Sequence, residues 1–108
     1  NGRTPVPLRL FALSLLLTAL PGLAQKRLLY ITHSAGFRHD SIPVSVRAIN
    51  DIARRTGAFE VTATEDLSQI SAPNLARFDA IFFFTSGELA LSDSQKRDLL
   101  EFVRAGKG

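Results

Sequence analysis

One segment of the chain concentrates residue types that transfer protons or bind polar ligands. It reads His33-Ser34-Ala35-Gly36-Phe37-Arg38-His39-Asp40-Ser41 and holds both histidines of the sequence. Imidazole can transfer protons near neutral pH or ligate zinc, and the guanidinium of Arg38 can pair with an anionic or strongly polar ligand. The segment is therefore the first candidate for a catalytic or binding loop.

A second polar loop, Ser86-Gly87-Glu88, follows the apolar run Ala80 to Thr85, just as the first loop follows the apolar run Arg27 to Thr32. If both runs are parallel strands, both loops lie beyond carboxyl ends, where open α/β sheets bind ligands. We expect the two loops to form one site. Its candidate proton-transfer groups are His39, which is preferred, with His33 and Glu88.

Most of these residues also have a structural interpretation. Each histidine alone is more often a local hydrogen-bonding group than a catalyst, and Glu88 can be a solvated charge. The remaining alternatives are a turn at Gly36, a core anchor at Phe37, and a helix cap at Asp40 or Ser41. These alternatives stay open beside the functional ones.

A metal site made from the first loop is a weaker hypothesis. His33, His39 and Asp40 supply suitable ligand types, but the five residues between the histidines do not give the fixed spacing of a helical i, i+4 pair. A further ligand would have to come from Glu88 or from residues outside this sequence. The cofactor, including a divalent metal such as zinc, is therefore left open.

Several function classes are disfavoured by missing patterns. The chain has no cysteine, which excludes a cysteine nucleophile and a thiolate zinc site within it. Ser34 lies outside a G-x-S-x-G elbow, which disfavours a serine hydrolase. Neither a G-x-G-x-x-G turn nor a P-loop is present, which disfavours dinucleotide and nucleoside-triphosphate binding. A receiver domain would place acidic residues where His33 and Ser34 stand. Charges of both signs are interspersed, so we expect no nucleic-acid partner.

The pattern of apolar residues predicts alternating strands and helices. A buried strand over Arg27 to Thr32 is followed by a helix with Ser41 as N-cap and Gly57 as terminator. Its apolar face is predicted from the spacing of Val44, Ala48, Ile49, Ile52 and Ala53. Phe59 to Thr64 alternates in polarity, which is typical of an edge strand with one solvated face.

The second half of the chain continues the alternation. Residues 65 to 78 are predicted to cover the sheet through Leu67, Ile70 and Leu75, and Ala80 to Thr85 is predicted to be a central strand. A capping box at Ser92 and Gln95 begins a helix that ends near Ala105. The expected fold is α/β, with three parallel strands in the order two, one, three, truncated after the third strand and second main helix. A further strand is expected just past Gly108.

The first 24 residues have the order of a cleavable secretory signal. Arg3 and Arg9 precede an apolar run, Leu10 to Leu20, and small residues at Gly22 and Ala24 fit cleavage before Gln25. The run is shorter than the roughly 17 to 25 residues that a permanent transmembrane helix needs. We therefore expect residues 1–24 to be a signal peptide, the mature protein to be periplasmic or secreted, and no permanent membrane span. A membrane anchor is the weaker alternative.

From Lys26 to Gly108 the sequence resembles the ThuA-like, or trehalose-utilisation, domain family. The resemblance rests on RLLYIT followed by HSAGFRHDSIP, then DAIFFFTSGE, then LSDSQKRDLLEFVRAGKG, with GFRHDSIP as its most specific part. It implies a flavodoxin-like, three-layer fold similar to class I glutamine amidotransferases without their cysteine nucleophile. In the family, a strand that ends in a Gly-Ile-His-type motif follows this region, and that part lies outside the sequence.

The resemblance also implies a role in the metabolism of trehalose or related disaccharides, with keto sugars as one route. The family's motif falls on Gly36, Phe37, Arg38, His39 and Asp40, with Ser86 and Gly87 from the second loop, and these are the expected substrate-binding positions around His39. The expected partner is a small carbohydrate. The main alternative is a non-catalytic carbohydrate-binding or accessory module of a larger exported protein, and a purely structural domain is a third. Enzyme status, substrate and oligomeric state are left open.

Overall fold

A computed structural model describes Gly2 and residues 25–108 of the chain. Three strands alternate with helical segments. In chain order these are β1 (Lys26–Ile31), α1 (Ser41–Thr56), β2 (Phe59–Thr64), a 3₁₀ turn (Leu67–Gln69), α2 (Ala72–Leu75), β3 (Ala80–Phe83) and α3 (Asp93–Arg104). The predicted signal peptide, residues 1–24, lies almost wholly outside the described residues. Within the described residues, no helix has the length and apolar character needed to cross a membrane.

The strands form one parallel sheet in the order β2-β1-β3. Lys26 pairs with Phe59 along one edge of β1, and Leu28 pairs with Ala80 along the other. The α/β class, the parallel sheet and the edge position of β2 that the sequence predicts are therefore confirmed. The reversal of strand order falls between the carboxyl ends of β1 and β3.

The third strand is shorter than predicted. β3 ends at Phe83, two residues before the predicted end at Thr85, and it pairs with β1 on one side. The central strand of the described sheet is β1, whose residues Leu29, Tyr30 and Ile31 are buried, whereas Phe82 is 51% exposed. The central position predicted for β3 depends on the further strand that is expected past Gly108.

The outer edge of β3 is engaged at its first residue. The Ile81 amide donates to the Gly108 carbonyl at 2.8 Å, and the Gly108 amide donates to the Asp79 carbonyl at 3.3 Å. This is the hydrogen-bond pattern of a parallel pairing around Ala80. The last residue of the sequence therefore lies beside β3, in the direction expected for a fourth parallel strand.

The main core lies on the face of the sheet covered by α3. Its centre is Leu29 and Ile31 of β1, and the other buried members are Ile70, Leu75, Phe78 and Phe102. Ile70 and Leu75 are two of the anchors predicted for the covering segment, and partly buried Leu67, the third, packs against the cluster. The capping box predicted for α3 is present, with Ser92 and Gln95 hydrogen-bonded to each other's backbone amides.

The opposite face is covered by α1, which is rotated from the predicted orientation. Its buried residues are Ile42 and Ala53, while Val44 and Ile52 are exposed. The predicted face included Val44 and Ile52 and left out Ile42, whereas the helix turns Ser45 toward the sheet, where its hydroxyl accepts a hydrogen bond from Tyr30 at 2.8 Å. A serine with a buried partner is therefore part of the packed face.

The helix also begins one residue earlier than predicted. Asp40 occupies the N-cap position and Ser41 is the first helical residue, so the prediction of Ser41 as N-cap is wrong. Asp40 has helical backbone angles, and its side chain makes no capping hydrogen bond. The Ile42 amide instead donates to the His39 carbonyl at 3.2 Å, which tightens the entry to the helix. The predicted end of the helix at Gly57, with φ of 65°, is confirmed.

Candidate functional site

The two polar loops are joined directly beyond the ends of β1 and β3. The carbonyl oxygen of Ser86 accepts hydrogen bonds from the amides of Ala35 at 2.8 Å and Gly36 at 3.0 Å. The Ser86 hydroxyl donates to the Phe37 carbonyl at 2.6 Å. Ser34 and Ser86 also form a parallel bridge that extends the pairing of the two strands. One residue of the second loop thus holds three consecutive residues of the first.

The close approach of the loops depends on Gly87. This residue has φ of 73°, a conformation that favours glycine. A Cβ atom at this position would lie 2.6 Å from the Gly36 nitrogen and 3.1 Å from the Ala35 carbonyl carbon. Because both neighbours are backbone atoms, a side chain here would force the loops apart.

A pocket of about 170 Å³ lies between the joined loops and the start of α1. Its walls combine hydroxyl groups, an imidazole and apolar side chains. They are formed by Ser34, His39, Ile42, Phe84, Thr85 and Ser86. The pocket is smaller than the roughly 300 to 1,000 Å³ of typical small-molecule sites, so it suits one end of a larger ligand.

His39 lines this pocket, and its ring contacts that of Phe37. The two rings meet edge to face, with centroids 4.9 Å apart. Phe37 is 74% exposed, so the alternative interpretation of this residue as a core anchor is wrong. Within residues 25–108 the imidazole nitrogens of His39 have no hydrogen-bond partner, which leaves both nitrogens open to a ligand.

His33 and Arg38 belong to a different group, on the β2 side of the first loop. The His33 Nδ1 lies 2.9 Å from the Glu65 carbonyl oxygen, which can only accept a hydrogen bond. Arg38 forms an ion pair of 3.1 Å with the Glu65 carboxylate, and both side chains are about half exposed. Arg38 and Glu65 line a second pocket of about 410 Å³ with residues of α1 and β2. Glu65, which was not a predicted site residue, therefore contacts His33 through its carbonyl oxygen and Arg38 through its carboxylate.

The remaining predicted residues are spread along the rim. Gly36 touches Gly87 through backbone atoms, Asp40 starts α1, and Glu88 is exposed without a hydrogen-bond or ion-pair partner among the described residues. In the part of the chain that the structure describes, no three histidine, aspartate or glutamate side chains are grouped closely enough to hold a metal ion. The set His33, His39 and Asp40 thus does not form a metal site here.

The sequence patterns do not indicate four of the six pocket residues, nor the partner Glu65. Ser34 follows His33 directly at the end of a strand, and that position is a usable signal. Thr85 and Phe84 belong to the apolar run of the predicted strand, but β3 ends one residue before Phe84. Ile42 lies in the first turn of α1, and no pattern marks it as a site residue. Glu65 follows β2, and only the strand order could have indicated that it reaches the first loop.

The comparisons with known proteins agree with this architecture. The family model described as ThuA, trehalose utilisation, matches residues 27–108. No curated protein and no solved structure matches the chain significantly. The matched range contains β2, β3, all of β1 except Lys26, both loops and α3, and it covers most of the chain. The chain therefore belongs to the ThuA family, which connects it with trehalose utilisation.

Proposed function

We propose that this protein acts on sugars of the trehalose-related or keto-disaccharide class, at the pocket between the carboxyl ends of β1 and β3. The observation that supports the proposal most directly is a hydroxyl-lined pocket whose wall includes His39, with the exposed ring of Phe37 in edge-to-face contact with that imidazole. A sugar ring has an apolar C–H face and a polar edge. Phe37 offers an aromatic surface for the first, and the hydroxyl groups and imidazole offer hydrogen bonds for the second.

In the proposed reaction, His39 accepts the proton that a sugar hydroxyl group loses, or donates the proton that a carbonyl oxygen gains. Its ring nitrogens have no hydrogen-bond partner among residues 25–108, and the side chain is exposed, which suits that role. His33 and Glu88 remain secondary candidates, because His33 is engaged with Glu65 and Glu88 lies on the rim. Gly36, Arg38, Asp40, Ser86 and Gly87 would shape or border the bound sugar.

The second candidate function is a non-catalytic carbohydrate-binding or accessory module. It is favoured by the size of the pocket, which accommodates one end of a sugar without enclosing it. Both candidates require sugar binding, and only the first requires turnover. Assays of binding and of turnover on the full-length protein therefore separate them.

Sugar binding is tested by replacing Phe37 with alanine. We expect the affinity for trehalose or a keto-disaccharide to fall about tenfold, the equivalent of about 1.4 kcal/mol, because the exposed aromatic surface is lost. The melting temperature should stay the same, since the ring is mostly solvated. Isothermal titration calorimetry and thermal unfolding of the full-length protein measure the two quantities.

The matched control is Leu100→Ala, which removes an apolar side chain that is 55% exposed on α3, away from the pocket. It should leave sugar affinity unchanged. Equal affinity of the Phe37 variant and the wild type would contradict the placement of the sugar against Phe37. A wild-type protein that binds no sugar of this class would overturn the proposed function.

We further propose that the protein acts outside the cytoplasm, in the periplasm or as a secreted protein. The support is the order of Arg3, Arg9 and the apolar run Leu10 to Leu20, followed by small residues. The mature protein should begin at Gln25. Amino-terminal sequencing of the protein recovered from the exporting cell measures this, and an uncleaved amino terminus would contradict it.

A further inference from the structure

Ser34 carries a buried hydroxyl group that the fold does not use. Its Oγ exposes less than 1 Å² to solvent and has no hydrogen-bond partner among the described residues. It is the one buried side-chain polar atom without a partner in that part of the chain. Buried polar groups are nearly always hydrogen-bonded, so this exception calls for a physical reason.

Two polar side chains line the same pocket as Ser34 and make no hydrogen bond to it. The Ser86 hydroxyl, on the bridged residue of β3's loop, is engaged with the Phe37 carbonyl. His39 lines the same pocket but makes no hydrogen bond to Ser34. The backbone of Ser34 is held by the bridge to Ser86, so the side chain can change partners only by rotating about its Cα–Cβ bond between staggered positions.

We infer that Ser34 is a sugar-binding residue whose hydroxyl turns toward the pocket and hydrogen-bonds a hydroxyl or carbonyl oxygen of the bound sugar. The inference rests on the proposed function and deepens it. A serine hydroxyl both donates and accepts, which matches a sugar hydroxyl. Among the described residues no base is hydrogen-bonded to Ser34, so the inference gives it a binding role instead of a nucleophilic one. The bound sugar thus provides the hydrogen-bond partner that the Ser34 hydroxyl lacks among the described residues.

Two measurements on the full-length Ser34→Ala variant test the inference. The affinity for trehalose or a keto-disaccharide, whichever the wild type binds, should fall about tenfold because one hydrogen bond to the ligand is lost. The melting temperature should be unchanged or higher, because an unpartnered buried hydroxyl contributes no stability. A merely structural serine would give the opposite pattern.

Ser45→Ala is the matched control. The Ser45 hydroxyl accepts from Tyr30 at 2.8 Å and donates to the Ile42 carbonyl at 2.7 Å. Its removal should lower the melting temperature and leave sugar affinity unchanged. A Ser34 variant that melts as early as the Ser45 variant would overturn the inference.

Monodeoxy sugars identify the contact atom. One deoxy analogue should bind the wild type more weakly than its parent sugar, while binding the wild type and the Ser34 variant equally. Equal affinity of the variant and the wild type for every sugar would overturn the Ser34 inference and leave the proposed function standing. A wild type that binds none of the sugars would overturn both.

Discussion

Replacing His39 with alanine in the full-length protein is expected to lower sugar turnover by about 10² to 10⁴-fold, the usual contribution of a positioned general acid or base. Sugar binding should persist, because Phe37 and the pocket hydroxyl groups remain. His39 has this role in the proposal because its imidazole lines the pocket and has no hydrogen-bond partner among the described residues. The rate constant at saturating sugar and the dissociation constant are the quantities to compare.

His33→Ala is the natural control, since it removes the other imidazole of the same loop. His33 is held by the Glu65 carbonyl on the β2 side, and it lines neither pocket. Its loss should therefore reduce turnover far less. Unchanged turnover in the His39 variant would contradict the catalytic role, and sugar binding without turnover in the wild type would favour the accessory module.

The second large effect is expected from Gly87→Ala. The new Cβ would lie 2.6 Å from the Gly36 nitrogen, and the residue would keep a positive φ of 73°. Strain and crowding together should lower the free energy of unfolding by about 2 to 4 kcal/mol. Sugar affinity should fall as well, since the displaced loops border the pocket. Chemical denaturation and calorimetric titration of the variant measure both changes.

Two other glycines separate the causes of this effect. Gly57 has a similar φ of 65°, and a Cβ atom added there would meet nothing within 4 Å, so Gly57→Ala should cost only the conformational strain, about 1 kcal/mol. At Gly36 a Cβ would meet Gly87 at 3.5 Å, an ordinary contact, so Gly36→Ala should be tolerated. A Gly87 variant no less stable than the Gly57 variant would contradict the role of close loop contact.

The sheet was predictable because local patterns and topology rules agree. Short apolar runs predicted β1 and β3, and alternation predicted β2 as an edge strand, which gives the observed order. Right-handed crossovers predicted that the strands are parallel. The face of α1 was not predictable from its apolar residues, because a partly buried serine with a tyrosine partner lies on the packed face while Val44 and Ile52 are exposed. Hydropathy does not reveal which polar side chains find partners.

The candidate site was predictable only at the level of loops. The strand order brings His33–Ser41 and Ser86–Glu88 to one edge, but it does not decide on which side of the first loop each residue lies. Glu65 draws His33 and Arg38 toward β2, while His39 faces the pocket near β3. The placement of these residues on the two sides of the loop depends on the long-range contact with Glu65, which the loop sequence alone does not predict.

The hydrogen bond from Ser86 to Phe37 has a consequence for how the protein folds. It joins residues 49 positions apart, so a substantial loop must close before this bond forms. The shape of the pocket cannot be encoded in the first loop by itself, and an isolated peptide with that sequence would have no reason to adopt it. The pocket therefore depends on the long-range contact between the ends of β1 and β3, and a change that weakens this strand pairing would also weaken ligand binding.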